Sequence, residues 1–84
     1  MSGSLDEMAV FTKVVASGSL SAAARDLGLS TAVVSRRLAA LESRLGVRLV
    51  NRTTGRLALT DEGPAYHEAC ARILAEIEDA DAAA

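Results

Sequence analysis

Residues 19–56, SLSAAARDLGLSTAVVSRRLAALESRLGVRLVNRTTGR, constrain this chain more than any other stretch. They order a short Ala-rich helical segment, a three-residue turn opening at Gly28, a second helical segment bearing Arg36 and Arg37, and a basic hairpin. Ser19 and Ser30 stand where helix N-caps are wanted, because a serine oxygen can accept from a first-turn amide that has no helical partner. Gly28 and Gly46 stand where the left-handed backbone that ends a helix is cheapest. Two helices joined so tightly and followed by a hairpin have the order of a winged helix-turn-helix. That shape lays one helix in a DNA major groove.

The flanking segments complete a mainly α fold of three helices, a two-stranded wing and a long C-terminal helix. Met1–Ser4 is a small polar lead-in. Leu5, Met8, Phe11 and Val15 recur at helical spacing, which predicts a first amphipathic helix over 5–16. The second helix spans 20–27 with Leu20, Ala23, Ala24 and Leu27 as its apolar stripe, its alanines letting another helix approach closely. The third spans 31–45. Val47–Leu49 and Leu57–Leu59 are short alternating runs around Asn51–Arg56, the pattern of a hairpin with a basic tip. Such a wing lies along the sugar-phosphate backbone, with Arg52, Thr53, Thr54 and Arg56 as donors. A last helix runs to about residue 81. Thr60 can cap it, or Gly63 can with Pro64 as first helical residue, and the sequence leaves both open. Along it Tyr66, Ala69, Ile73, Ile77 and Ala80 form a seam suited to a partner helix, which implies a homodimer through 64–81.

The third helix separates cleanly by face. Val34, Leu38, Leu41 and Leu45 make the buried stripe. Ala32, Ser35, Arg36, Ala39, Ala40 and Ser43 then point away from the core. A merely solvated face favours Lys, Glu and Gln. Small residues around one arginine instead let the helix axis seat deeply in a groove, with Arg36 reaching a base edge or a phosphate.

Charge follows the same division. The net charge of −2 looks wrong for a nucleic-acid binder until it is mapped. Arg36, Arg37, Arg44, Arg48, Arg52 and Arg56 face the single acid Glu42, a local +5. From Asp61 onward seven acids oppose Arg72, a local −6. A basic stripe of this kind is the electrostatic footprint of phosphate binding.

Other classes are poorly supported. With 84 residues and only Phe11 and Tyr66 aromatic, one small Leu/Val/Ala core is the limit, and a partner subunit or larger parent chain suits it. The lone Cys70 excludes an intrachain disulfide and a cysteine-only metal cage. His67 and Cys70, three apart on one helix, do not make a metal site without a second pair. The glycines are isolated punctuation rather than a phosphate loop. No catalytic residue and no cofactor is indicated. No apolar run reaches membrane-spanning length and no signal region opens the chain, so the expectation is a soluble intracellular protein. The rival from another class is a helix-turn-helix interaction adaptor, which needs Leu, Met or aromatic anchors on the outward face.

The chain resembles the N-terminal DNA-binding domain of LysR-type transcriptional regulators. The resemblance is carried by Leu5, Phe11 and Val14–Val15, then GSLSAAARDLGLS at 18–30, AVVSRRLAALESRLGVRLVNRT at 32–53 and LTDEG at 59–63. The ordered set, with LExxLGxxL at 41–49 and RTT at 52–54, is highly specific, and RTT with LTDEG argues against other winged regulators and recombinase arms. It implies a winged domain over 1–60 and a linker (dimerisation) helix over 61–84. It further implies a bacterial, cytoplasmic regulator whose dimer reads an interrupted inverted repeat in double-stranded DNA. The small-molecule effector belongs to a domain absent from this chain.

By the same resemblance Thr31, Ala32, Val33, Ser35 and Arg36 contact bases, with Arg37 nearby on the backbone. Ser30 and Arg52 bind phosphates, and the wing approaches the minor groove. Three departures matter. Thr31 replaces a frequent Gln, so a bidentate adenine contact gives way to one hydroxyl and a methyl suited to thymine. Ala32 replaces a frequent Pro and alters the helix entry. Gly55 replaces a frequent wing-tip Arg, so Arg56 substitutes or A/T discrimination at the outer flanks weakens.

Overall fold

A computed structural model describes residues 2–53 and 56–84, the side chains of residues 2, 3, 53 and 56 excepted. Element order is α1 (Ser2–Ser17), α2 (Leu20–Leu27), α3 (Thr31–Leu45), β1 (Val50–Thr53), β2 (Arg56–Leu59) and α4 (Gly63–Ala83). Four helices and one antiparallel hairpin make a winged helix-turn-helix. Among the described residues, no helix is long and apolar enough to cross a membrane.

The turns form as their chemistry dictates. Ser19 accepts from the Ala22 amide at 3.1 Å and Ser30 from the Val33 amide at 3.2 Å, so each satisfies an orphan donor of the helix it opens. Gly28 (φ 68°) and Gly46 (φ 75°) are left-handed. The Gly28–Leu29 amides return to α2 carbonyls, and the Gly46 amide to the Glu42 carbonyl at 2.8 Å.

α1 is the central helix and touches α2, α3 and α4. It therefore buries two stripes where the sequence periodicity gives one. Met8 and Phe11 join Leu38, Leu41, Leu49, Val50 and Cys70, while Val10 and Val14 join Ala23, Ala24 and Val34. Leu5, expected in the buried stripe, is 38% exposed. The helix also begins at Ser2 rather than Leu5. The first turn forms in spite of Gly3, because extending a formed helix costs far less than nucleating one.

The hairpin starts later than the alternation suggests. Val47–Leu49 is a connector, and β1 begins at Val50. The cause is Glu42, a buried acid on α3. Its Oε2 accepts from the Leu49 amide at 2.7 Å and the Val50 amide at 3.2 Å, so the Leu49 donor is taken by a side chain. Thr60 closes the other side. Its amide donates to the Leu49 carbonyl at 2.9 Å and its hydroxyl to the Arg48 carbonyl at 2.6 Å. Thr60 is thus a hairpin lock rather than a helix cap.

α4 accordingly opens at Gly63 with Pro64 in its first turn, where the missing amide is no loss. Glu62 holds the cap position without a side-chain bond, and the helix runs to Ala83 rather than 81. Gly63 is required by space. A Cβ there would lie 2.8 Å from the Leu49 carbonyl oxygen and from two Leu59 side-chain carbons.

Candidate nucleic-acid interface

The buried stripe of α3 (Val34, Leu38, Leu41) leaves Thr31, Ala32, Arg36, Ala39, Ala40 and Ser43 exposed. Val33, Ser35 and Arg37 are half-buried at the margins of that face. Ser30 is exposed, with its oxygen committed to capping α3. The protruding surface is a smooth strip of small side chains from which Arg36 rises.

The two flanks of this strip differ. On the α1 side, Asp6 and Glu7 border Arg36, Arg37 and Ala40 around a depression of about 410 Å³. Arg44 lies against Glu7, with Nη2 3.1 Å from Oε1 and Nε donating to the same oxygen. That hydrogen bond is the main reason the Arg44 pKa rises above its ordinary value. On the hairpin side, a groove of about 480 Å³ runs between Ala39, Ser43 and the arginines Arg48 and Arg52. Arg48 lies 3.7 Å from the Glu42 carboxylate. Arg52 donates from Nη1 to Ser35 Oγ at 3.0 Å, joining the wing to α3. Thus the arginine stripe is not uniform, since Arg44 and Arg48 are paired within the chain. Thr54 lies outside the described residues, as do the side chains of Thr53 and Arg56.

The α4 seam is also divided. Tyr66 packs against the core, its ring 5.7 Å from that of Phe11, and Ala69 is half-buried. Ile73 and Ile77 are 40% and 36% exposed, and Ala80 is exposed. Tyr66 and Ala69 line a largely apolar groove with Leu45, Val47 and Leu49. His67 meets the Phe11 ring edge-on at 6.0 Å. Cys70 is fully buried, and burial pushes the thiol and the neighbouring Tyr66 phenol up, so both stay uncharged at neutral pH.

Three supporting roles escaped the sequence reading, those of Glu42, of Gly63 and of the Glu7–Arg44 pair. Glu42 is the single acid in the basic stretch, and that isolation was its signal. Gly63 carries no local signal, because its need arises from Leu49 and Leu59 across the hairpin. The Glu7–Arg44 pair joins positions 37 apart and has none either.

A strip of small residues on an exposed second motif helix, flanked by a hairpin, defines the winged helix-turn-helix class. Residues 5–64 match the family model described as bacterial regulatory helix-turn-helix protein, lysR family. The chain belongs to that family, which is one of regulators rather than enzymes. It is 49% identical over 83 residues to an HTH-type transcriptional regulator of Xanthomonas campestris pv. campestris (strain 8004), covering 99% of this chain and 24% of that protein. The chain therefore spans about a quarter of the length of the curated relatives it matches. Among solved structures, the BenM DBD in a catB site 1 DNA complex superposes with TM-score 0.90 at 26% identity, over 93% of this chain and 87% of that one. The CbnR DBD in a DNA complex gives 0.88 at 32% identity, over 92% and 88%.

Proposed function

We propose that the chain is the sequence-reading DNA-binding module of a LysR-type transcriptional regulator. The observation that carries this reading is the exposed α3 strip, narrow enough to enter a major groove. The BenM and CbnR domains of the same fold form DNA complexes, which supports it. In this reading Thr31, Ala32, Val33, Ser35 and Arg36 meet base edges. Ser30, Arg37, Arg52, Thr53, Thr54 and Arg56 serve the sugar-phosphate backbone. Residues 1–60 act as the reader and 61–84 as the linker helix. A second copy docks on Tyr66, Ala69, Ile73, Ile77 and Ala80, giving a cytoplasmic dimer on an interrupted inverted repeat. The effector belongs to a further domain of a longer regulator.

Selection of sites from randomised duplexes, at low and moderate salt, tests this reading. The expected product is an inverted repeat with half-sites about one helical turn apart. A single half-site would keep the reader and remove the dimer. Salt-labile binding without enrichment would remove sequence reading altogether.

A further inference from the structure

The hairpin register places Arg52 on the helix-facing side of the wing, although its long side chain stays exposed. Val50 pairs with Leu59 and Arg52 with Leu57, and both members of an opposed pair point to one face, as do residues two apart. Val50, Arg52, Leu57 and Leu59 therefore share the helix-facing side. Val50 is buried there, and both leucines pack against the core. The fourth member is an arginine, which reaches across to donate to Ser35.

Ser35 is correspondingly placed. It lies about 100° round α3 from Val34, whereas Ala32, Ser43 and Arg36 lie at about 160–200° and face straight outward. It is half-buried where those three are exposed.

Resting on the DNA-binding reading above, we propose that Ser35 is a positioning residue that ties the wing to α3 and presents Arg52 to a backbone phosphate. For Ser35 alone, this tie replaces the base contact given to it in the reading above, and Thr31, Ala32, Val33 and Arg36 remain the base readers. A guanidinium carries five N–H donors in a planar fork, so one bond to Ser35 leaves donors free for phosphate oxygens. The adjoining groove, floored by Ala39 and Ser43, leaves room beside the fork. An untied arginine loses rotamer freedom when it engages DNA, and the tie removes that freedom beforehand. Seating also fixes the distance between the helix in the groove and the wing on the backbone.

The test is a binding cycle with the purified chain, S35A, R52A, the double variant and S35T, on a selected duplex and a random one. S35A is expected to weaken both duplexes by the same factor, about three- to tenfold. The base preferences should stay unchanged, and the R52A loss should be smaller in the S35A background than alone. S35T, which keeps the acceptor, should restore the coupling. A changed preference at one base pair in S35A, or losses that simply multiply, would overturn the proposal.

A second measurement needs no DNA. Relaxation of the Arg52 side-chain Nε should report an ordered guanidinium in the parent and S35T chains and a mobile one in S35A. Arg52 as mobile as Arg36 in the parent chain would refute the tie itself. An ordered Arg52 in a chain that binds neither duplex would instead refute the DNA-binding reading, and with it the presenting role.

Discussion

α3 and α4 are the two long helices of the domain, and they are held by opposite means. α3 is closed at both ends, by the Ser30 hydroxyl and by left-handed Gly46, and Arg44 lies in its last turn, where a cation complements the carbonyl dipoles. Val34, Leu38 and Leu41 are fully buried beneath it. α4 is six residues longer yet buries only Gly63 and Cys70, has no side-chain cap and no base in its last turn. Its final turns instead carry Glu76, Glu78, Asp79 and Asp81 at the negative end of the helix dipole. The conformation of α3 is thus determined within the chain. The distal half of α4 is exposed in the single chain and has no such internal support among the described residues.

The sharpest way to break this comparison is to truncate an apolar residue in each helix. Leu38→Ala should destabilise the fold by about 2–5 kcal/mol, since the side chain is fully buried. Ile77→Ala should stay within about 0.5 kcal/mol in dilute solution, since the residue is exposed in the single chain and stands outside both buried clusters. At high concentration it should weaken the proposed self-association. Thermal melts at two concentrations, with sedimentation, measure both. Equal losses for the two variants in dilute solution would erase the distinction.

A somewhat smaller loss is expected from Glu42→Ala. The variant strands the Leu49 and Val50 amides at the root of the hairpin, at about 2–4 kcal/mol for the buried donors left unpaired. Glu42→Gln keeps one acceptor and should fall between. Hydrogen exchange should then show the hairpin opening before α3 does. Loss of protection in α3 first would mean that the recognition helix depends on the wing.

These residues also show what the sequence made legible. α2 and α3 were readable to the residue because Ser19, Gly28, Ser30 and Gly46 are local chemistry. The outward strip was readable because helical period alone separates it from Val34, Leu38 and Leu41. The onset of β1 was not, since Val47–Leu49 alternates like a strand and only the fold reveals that Glu42 takes the Leu49 amide. Nor was the doubled stripe of α1, which reflects three helical neighbours rather than a local pattern. Arg52 was legible as a wing cation. Its tie to Ser35 requires the Arg52–Leu57 register, which no run of residues states. The partition of arginines was hidden for the same reason, because Glu7 and Arg44 meet only after folding.

Capping gives the next, smaller contrast. Ser30→Ala removes the bond to the Val33 amide and should cost about 1 kcal/mol, read in chemical denaturation. Glu62→Ala removes no cap bond and should cost clearly less. Equal losses would mean that the start of α4 depends on Glu62 as much as α3 depends on its cap.

The smallest effect concerns the acidic end of α4. Glu78→Lys or Asp81→Lys replaces a charge that opposes the local dipole with one that matches it, a gain of about 0.3–1 kcal/mol for the helix end at low salt. Because residues 75–84 are all exposed, the gain should appear as added helicity in circular dichroism while the melting temperature of the core stays fixed. Salt should abolish it, since charges this exposed are screened within about a Debye length. A melting temperature that rises in step with helicity would show that the distal half of α4 is coupled to the core after all. The two helices would then differ in degree, not in where their support comes from.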